Sequence, residues 1–366
     1  MKKVVFALWL MIPSFSGAAQ QLAKTADSIR VAAEIPGLAY AVLNSDSILT
    51  SRVLGYRRAD RKVATAKVVS SDFFHLGSNT KAVTGFIAAY LVEQVKISWS
   101  TKFFALFPEL KKDANPAFYE ISLSDLLGHR ALIKPYMSGE EFELLPKFSG
   151  NKSEQRKAFV TYLLRNDALA KNDEPFNYSN AGYSVAALML EKASGKTWEE
   201  LVQEVFKKAG LAYHMGWPNS VDSNQPWGHW IVDGVLTALP PTSDYKLQFI
   251  EPAGDLSMTI GDYAKFVQLN LSGLRGKNNL LKAETYNYLH FGHDKYASGW
   301  LNVNGSGKQL SEHAGSAGTF YCYTLVNKDK NIAYIIMANV ATEKALKGIF
   351  QLLEKMIKTT EASMTF

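Results

Sequence analysis

Three short polar segments, spread over most of the chain, constrain its fold more than any other feature of the sequence. They are Ser78-Asn79-Thr80-Lys81, Tyr178-Ser179-Asn180 and His313-Ala314-Gly315-Ser316. Together they contain a nucleophile, two candidate bases and a strand that can stabilise an anion, which is the equipment of a serine hydrolase that forms an acyl-enzyme. A chain that uses all three must bring its N-terminal and C-terminal parts to one cleft.

A serine three residues before a lysine occurs three times in the chain, so the surrounding residues must indicate which pair is the catalytic candidate. Ser149 and Ser243, each followed three residues later by a lysine, lie among Pro, Gly, Asn and Asp residues that are typical of loops. Ser78 instead precedes a helical apolar pattern, and residues i and i+3 of a helix share a face, so its hydroxyl can meet the Lys81 amine. The start of a helix also directs free backbone N–H groups at an oxyanion. An isolated pair of this kind would equally be an N-capping serine followed by a solvated lysine.

Each of the two later segments also has a simple structural explanation. Tyr178 lies between a turn and a predicted helix, where it could exchange a proton across a cleft or be a core aromatic residue. His313 precedes the β-branched and aromatic run 318–326, which predicts a strand, and it could be a surface residue on an edge strand. Gly315 would let a substrate backbone approach closely.

The order Ser-x-x-Lys, Tyr-x-Asn, His-x-Gly resembles that of the penicillin-recognising serine hydrolases. The most similar branch contains class C β-lactamases, D-alanyl-D-alanine carboxypeptidases and related esterases. Other segments similar to this family are Ile35-Pro36-Gly37-Leu38-Ala39-Tyr40-Ala41-Val42, the run 176–196, Ala253-Gly254-Asp255-Leu256-Ser257-Met258-Thr259 and Ser298-Gly299-Trp300. The resemblance therefore covers most of the chain.

The resemblance implies catalytic roles for Ser78, Lys81, Tyr178 and His313. Ser78 is the expected nucleophile, while Lys81 and Tyr178 are expected to accept and relay its proton. An exposed lysine titrates near about 10.4 and a phenol near about 10. Burial beside other cations is expected to lower the pKa of Lys81, and clustering with Lys81 and His313 to make a Tyr178 phenolate tolerable. An alkaline-leaning pH profile follows from this assignment.

The resemblance also implies groups that hold the substrate. Asn180 is expected to form a hydrogen bond with the substrate's amide, and Gly315 to line its path. The backbone N–H groups of Ser78 and Ser316 are expected to form the oxyanion hole.

Three departures from the family's pattern leave the substrate open. β-Lactamases of this type usually have lysine where this chain has His313, which is charged only when protonated, so a carboxypeptidase or esterase is favoured over an efficient β-lactamase. The family's His-Thr-Ser-Gly-Leu turn is replaced by His129-Arg130-Ala131-Leu132-Ile133. There Arg130 is expected to be a solvated surface residue or, alternatively, a cation at the cleft mouth. Asp255 stands where a second glycine is common, which would alter the cleft wall.

The composition predicts an exported protein that acts without a cofactor. Two lysines, the apolar run 4–12 and the small residues 17–19 form the pattern of a signal peptide over residues 1–19, so a periplasmic or secreted location is expected. No later segment reaches the roughly 18 apolar residues of a membrane span. Without Lys2 and Lys3 the formal charge falls from +6 to +4 and is spread along the chain, which argues against nucleic acid. The lone Cys322 and the seven histidines predict no metal site.

The predicted fold class is α+β, of the β-lactamase/transpeptidase type. Strands are expected at 38–44, 47–54, 299–302, 319–326 and 332–339, and terminal helices at 21–33 and 343–358. Residues 20–77 and 251–366 would form an antiparallel sheet flanked by these helices, and residues 78–250 a mostly helical domain. The active site would lie in the cleft between the two.

Two functions of different class follow from the sequence. The leading one is an exported serine hydrolase, expected to be a monomer, in which a D-amino-acid peptide, an amide or an ester acylates Ser78. Its substrates could include peptidoglycan fragments or β-lactams. The alternative is a catalytically silent receptor for β-lactams or peptidoglycan fragments. The presence of Ser78, Lys81, Tyr178 and Asn180 together favours the enzyme, because a binding module does not need a lysine held beside a serine.

Overall fold

A six-stranded antiparallel sheet carries helices on both faces. The computed structural model describes residues 15–137, 139–166, 168–169, 176–303 and 309–364. The α-helices are α1 (Phe15–Ala32), α2 (Thr80–Glu93), α3 (Phe103–Leu106), α4 (Leu123–Leu127), α5 (Gly139–Glu143), α6 (Lys152–Arg165), α7 (Asn180–Ser194), α8 (Trp198–Ala209), α9 (Pro218–Val221), α10 (Glu251–Gly254), α11 (Ile260–Leu274), α12 (Ala283–Phe291) and α13 (Glu343–Met364). The strands are β1 (Gly37–Leu43), β2 (Ile48–Gly55), β3 (Phe73–His75), β4 (His214–Met215), β5 (His229–Val232), β6 (Val235–Ala238), β7 (Leu256–Thr259), β8 (Leu301–Asn302), β9 (Leu310–Ser316), β10 (Tyr321–Asn327) and β11 (Ile332–Ala338). The large sheet has the order β2-β1-β11-β10-β9-β8, and a small sheet has the order β3-β7-β4.

Strand β1 is apolar at every position because both of its faces are covered. Leu38, Tyr40 and Val42 belong to one apolar cluster with residues of the terminal helices α1 and α13. Ala39 and Ala41 belong to a second, larger cluster with residues of α2 and α11. A strand buried on both faces shows a continuous apolar run in its sequence instead of alternation.

The predicted fold class is confirmed, including the meeting of the two ends of the chain in one sheet. Leu38 of β1 pairs with Ala338 of β11, and β10 and β11, both predicted as strands, form an antiparallel pair. The first helix begins at Phe15 instead of 21, and the last continues to Met364 instead of ending at 358. Residues 1–14 of the predicted signal peptide lie outside the described residues.

The sequence analysis missed strand β9, which contains His313. This strand pairs with β10 from Tyr321↔Ser316 onwards and with β8 on its other side, so the alternative of a surface histidine on an edge strand was wrong. The sequence LSEHAGS has too few apolar residues to predict a strand, although the burial of its residues alternates along the chain.

The predicted helical region contains α2 and most of the other helices, but also strands β4, β5 and β6. Its boundary with the sheet domain stays a prediction, because the larger apolar cluster includes residues of both parts, among them Ala41, Phe86, Val185 and Ile335. No helix within the described ranges is long and apolar enough to cross a membrane.

A buried arginine joins three helices near the cleft. Arg156 of α6 has no exposed surface, and its guanidinium binds Glu191 of α7 and, at 2.7 Å, Glu199 of α8. Glu251 at the start of α10 lies 3.8 Å from the same group. Burial of the carboxyl raises the pKa of Glu251, whereas the charge of Arg156 lowers it. The arginine is therefore the charge that makes this set of buried carboxylates tolerable.

We expect Arg156→Ala to lower the free energy of unfolding by about 3–5 kcal/mol, because it leaves the buried carboxylate of Glu191 without a cationic partner. Urea denaturation measures this change. The control is Arg165→Ala in the same helix, whose ion pair with Asp113 is about half exposed, and whose loss should change stability by less than about 1 kcal/mol. Equal effects of the two substitutions would contradict this account.

Candidate active site

Ser78 lies on a tight turn between strand β3 and helix α2. The turn, Gly77–Asn79, is a 3-10 helix that leads directly into α2. Gly77 has φ +52°, and a Cβ at this position would stand 2.4 Å from the backbone nitrogen of Ser316. Both the backbone conformation and the close approach of β9 therefore require glycine here. As a result, Ser78 Oγ is partly exposed at the N-terminus of α2, beside the end of β9.

Lys81 is fully buried one helical turn after Ser78. Its Nζ lies 3.1 Å from Ser78 Oγ, 2.7 Å from Asn180 Oδ1 and 2.9 Å from the carbonyl oxygen of Ala253. None of these three partners is a carboxylate. Burial alone lowers the pKa of Lys81 well below the ordinary value of 10.5. The predicted direction of the shift is right, although its cause is desolvation.

Tyr178 lies across Lys81 and reaches Ser78. Lys81 Nζ is 4.7 Å from the centre of the Tyr178 ring, and the Tyr178 hydroxyl faces Ser78. Burial raises the pKa of this phenol, and the nearby Ser78 hydroxyl offsets only part of that shift. Burial therefore opposes a Tyr178 phenolate in the free protein, against the expectation that clustering with Lys81 and His313 makes it tolerable.

Asn180 begins helix α7 and connects Lys81 with the loop before α5. Its Oδ1 accepts the bond from Lys81, while its Nδ2 donates to Tyr136 O at 2.9 Å and lies 3.3 Å from Met137 Sδ. A thioether is a weak acceptor. A substrate carbonyl can thus take the second N–H of the amide, in keeping with the predicted substrate contact.

His313 lies behind the site and is neutral. Its Nδ1 donates to Ala314 O at 3.0 Å, so its Nε2 accepts from Tyr296 OH at 2.9 Å. Burial and, to a smaller extent, the charge of Lys81 lower the pKa of His313 to about 3. The low pKa leaves His313 without a positive charge near neutral pH, and its catalytic role stays a prediction.

Gly315 and Ser316 bring β9 against the nucleophile turn. A Cβ at Gly315 would stand 2.1 Å from Leu76 O and 2.8 Å from Asn79 N, so its lack of a side chain serves the contact between two protein segments. Ser316 lines the cavity beside Ser78. The two backbone N–H groups predicted to form the oxyanion hole, those of Ser78 and Ser316, therefore lie on neighbouring segments.

The sequence analysis gave no role to His129, Tyr183 or Tyr296, which form the layer behind Tyr178. The His129 ring lies 4.3 Å from that of Tyr178 and 4.5 Å from that of Tyr296. Its Nδ1 accepts the N–H of Ser179, which fixes the loop that carries Tyr178. Burial, and then the charge of Lys81, lower the pKa of His129 well below its usual value. The sequence did contain an indication of a role for His129, because it is the one residue of the family's His-Thr-Ser-Gly-Leu turn that this chain keeps.

Arg130 is neither a solvated residue nor a cation at the cleft mouth. Its guanidinium donates to three backbone carbonyls, those of Gly128 at 2.7 Å, Tyr296 at 3.0 Å and Asp294 at 2.6 Å. The residue ties two loops together, which the sequence could not indicate because the partners are backbone atoms.

A cavity of about 500 Å³ opens beside Ser78. Ser78, Asn180 and Ser316 lie on one side of it, and Phe142, Leu247 and Ile250 contribute to its apolar wall. No group of three or more potential metal ligands occurs within the described part of the chain. The arrangement can hold a carbonyl compound against a serine hydroxyl that is hydrogen-bonded to a buried amine.

A hydrogen-bonded pair, His75 and Asp255, holds the turn Gly77–Asn79 in place. His75 Nδ1 accepts the N–H of Gly77 at 3.2 Å, so its Nε2–H donates to Asp255 Oδ1 at 3.1 Å. The His75 ring also stacks on Trp217, with 4.5 Å between ring centres. Asp255, the departure from the family's glycine, therefore fixes the backbone before Ser78 and does not line the cavity.

The family is established by comparison of the whole sequence with known proteins. The family described as Beta-lactamase matches residues 20–353. The chain belongs to the beta-lactamase family. Within it, the chain is 21% identical to "Protein flp" of Staphylococcus aureus (strain NCTC 8325 / PS 47) over 342 residues, which is 90% of this chain and 66% of that protein. It is 27% identical to "Unguisins hydrolase ungD" of Aspergillus violaceofuscus over 245 residues, which is 64% of this chain and 42% of that protein. The chain thus spans less than two thirds of the length of these curated relatives.

Solved structures share the fold of this beta-lactamase-family protein. The octameric penicillin-binding protein homologue from Pyrococcus abyssi superposes with a TM-score of 0.69 at 20% identity, covering 87% of this chain and 73% of that one. SurE superposes with a TM-score of 0.75 at 16% identity, covering 94% of this chain and 77% of that one. The predicted resemblance and the β-lactamase/transpeptidase-like fold are confirmed.

We expect His75→Ala to slow acylation of Ser78 on the order of tenfold, because the turn loses the acceptor of the Gly77 N–H and the nucleophile is displaced. Stopped-flow measurement with an activated ester gives this rate. His214→Ala is the matched control, since His214 packs against Phe73 on the same small sheet but belongs to β4, which β7 separates from β3. A similar loss in both variants would show a general loosening of the sheet and contradict the role given to His75.

Proposed function

We propose that this protein is a serine hydrolase that forms an acyl-enzyme through Ser78. The observation that carries the proposal is the environment of Lys81 Nζ, which has two carbonyl acceptors and one hydroxyl as partners. A neutral amine has two N–H groups and one lone pair. The carbonyls of Asn180 and Ala253 take the two N–H groups, which leaves the lone pair for the hydroxyl proton of Ser78. The fungal relative is named a hydrolase, which supports the same chemistry.

The proposed reaction has two halves. Ser78 Oγ attacks the substrate carbonyl carbon while its proton passes to Lys81 Nζ, and the backbone N–H groups of Ser78 and Ser316 stabilise the oxyanion. The bond from this carbon to the leaving oxygen or nitrogen then breaks, and the leaving group takes the proton. Water next attacks the Ser78 ester and gives its proton to Lys81, and the acid leaves as Ser78 regains its hydrogen.

Tyr178 acts in this scheme as a relay and not as the first base. Its pKa is raised by burial, so the hydroxyl is protonated before the reaction, while the pKa of Lys81 is lowered. The Tyr178 hydroxyl faces Ser78, and the centre of its ring lies 4.7 Å from Lys81 Nζ, so it can pass the proton from Lys81 towards the leaving group.

Exposure of the mature protein to benzylpenicillin and to p-nitrophenyl acetate is expected to give a covalent adduct with at least one compound, on Ser78. Intact-protein mass spectrometry detects the adduct, and Ser78→Ala should abolish it. Ser149→Ala, at the second Ser-x-x-Lys spacing, is the matched control and should keep it. The absence of an adduct and of turnover with both compounds would instead support a silent receptor.

We expect Lys81→Arg to slow acylation about a hundredfold or more, because a guanidinium keeps its proton and cannot act as the base. In the unaltered protein the base must be deprotonated, so the acylation rate should rise with pH through the lowered pKa of Lys81 and then level off well below 10.5. Lys152→Arg is the control, because this exposed lysine only forms an ion pair with Glu251. A rate that still rises above pH 10.5 would contradict the assignment of Lys81.

Export and subunit state are part of the same proposal. The pattern of residues 1–19 supports a cleaved signal peptide. N-terminal sequencing of protein from the periplasmic fraction or the medium should begin near residue 20, and light scattering would test the expected monomer.

A further inference from the structure

We propose that the substrate carries a neutral, apolar group next to its reacting carbonyl, about as large as a pentyl chain or a phenyl ring, and that no carboxylate anchors it. This inference rests on the serine hydrolase function proposed above and narrows it to apolar acyl esters and amides.

The first observation is an apolar wall in the cavity beside Ser78. Phe142, Leu247 and Ile250 line the cavity, whose volume of about 500 Å³ is in the range of small-molecule sites. The Phe142 ring packs edge-on against Tyr136, with 5.6 Å between ring centres. Ile250 is only 4% exposed. An acyl group that fills this space removes apolar surface from water on both sides of the contact.

Aromatic rings also support the part of the cavity around Tyr245. Tyr245 lines the cavity, and its ring centre lies 5.3 Å from that of Trp217 and 5.6 Å from that of Trp230. These contacts fix the segment that carries Leu247. The apolar wall is therefore held in place by ring contacts, those of Phe142 with Tyr136 and of Tyr245 with Trp217 and Trp230.

The second observation is that the cations near Ser78 are withdrawn from the cavity. Lys81 is enclosed by its three partners, and Arg130 is committed to three backbone carbonyls. His313, at the place where β-lactamases of this type have lysine, donates to a backbone carbonyl and accepts from Tyr296. A substrate carboxylate would thus find neutral groups where a fixed positive charge would be needed.

Lys246 is the remaining cation among the described lining residues, and it does not change this conclusion. Its side chain is exposed to solvent, and Asp244, two residues earlier, lines the same cavity. An exposed charge beside an opposite charge contributes little to binding in water.

The test compares kcat/KM for three p-nitrophenyl esters, namely acetate, hexanoate and hydrogen glutarate. Hexanoate and hydrogen glutarate have similar chain lengths, but only the second has a terminal carboxylate. We expect hexanoate to exceed acetate by at least about tenfold, because the added methylenes are buried in the cavity. Hexanoate should also exceed hydrogen glutarate by at least about tenfold, because the carboxylate is desolvated without a cation. Equal values for acetate and hexanoate, or a preference for hydrogen glutarate, would overturn the inference.

Two variants locate the effect. Phe142→Ala is expected to lower the ratio of hexanoate to acetate about fivefold, because part of the apolar wall is removed. Phe148→Ala, a phenylalanine that packs on Phe159 and Phe249 outside the cavity, is the matched control and should keep the ratio. A ratio that is unchanged in Phe142→Ala would overturn the placement of the acyl group.

Lys246→Ala tests for a carboxylate anchor. It should change the ratio of hexanoate to hydrogen glutarate by less than about threefold. A tenfold rise would identify Lys246 as an anchoring cation and overturn the inference. Loss of all ester turnover that depends on Ser78 would instead overturn the hydrolase function itself, so the two failures are distinguishable.

Discussion

A lysine amine buried among neutral partners is the interaction on which the rest of the site depends. A charged amine without a carboxylate partner is costly in a protein interior, so burial favours the neutral form of Lys81. The neutral form fits the observed partners, because two carbonyls accept its N–H groups and a hydroxyl faces its lone pair. The same contacts therefore set both the protonation state and the direction of the amine.

Several parts of the fold hold those partners in place. The carbonyl of Ala253 belongs to α10, whose first residue, Glu251, lies near the buried Arg156 and pairs with Lys152 at 3.3 Å. Asn180 is fixed by the backbone of Tyr136. The ion network that joins α6, α7 and α8 is thus connected to the amine of Lys81 through one short helix, α10.

How much the sequence could predict depends on whether a feature is local. The pair Ser78 and Lys81 follows from helical spacing, and β1 follows from its continuous apolar run, so both were predicted. Strand β9 has a polar sequence that becomes a strand only between β8 and β10, and its role could not be predicted from composition. His129 and Arg130 act through backbone atoms of segments far away in the sequence, and the bond between His75 and Asp255 joins the end of β3 to the residue before β7. The sign of the pKa shift at Tyr178 depends on burial, which the motif does not encode.

The most direct test of this account is the pKa of Lys81 in the free protein. NMR titration of protein labelled with carbon-13 at the lysine ε position would give it, with the Lys81 signal assigned by its absence from the Lys81→Arg variant. The burial of Lys81 predicts a pKa well below 10.5 for this one signal. A Lys81 signal that titrates at or above 10.5 would show a protonated amine beside Ser78 and contradict its role as the base.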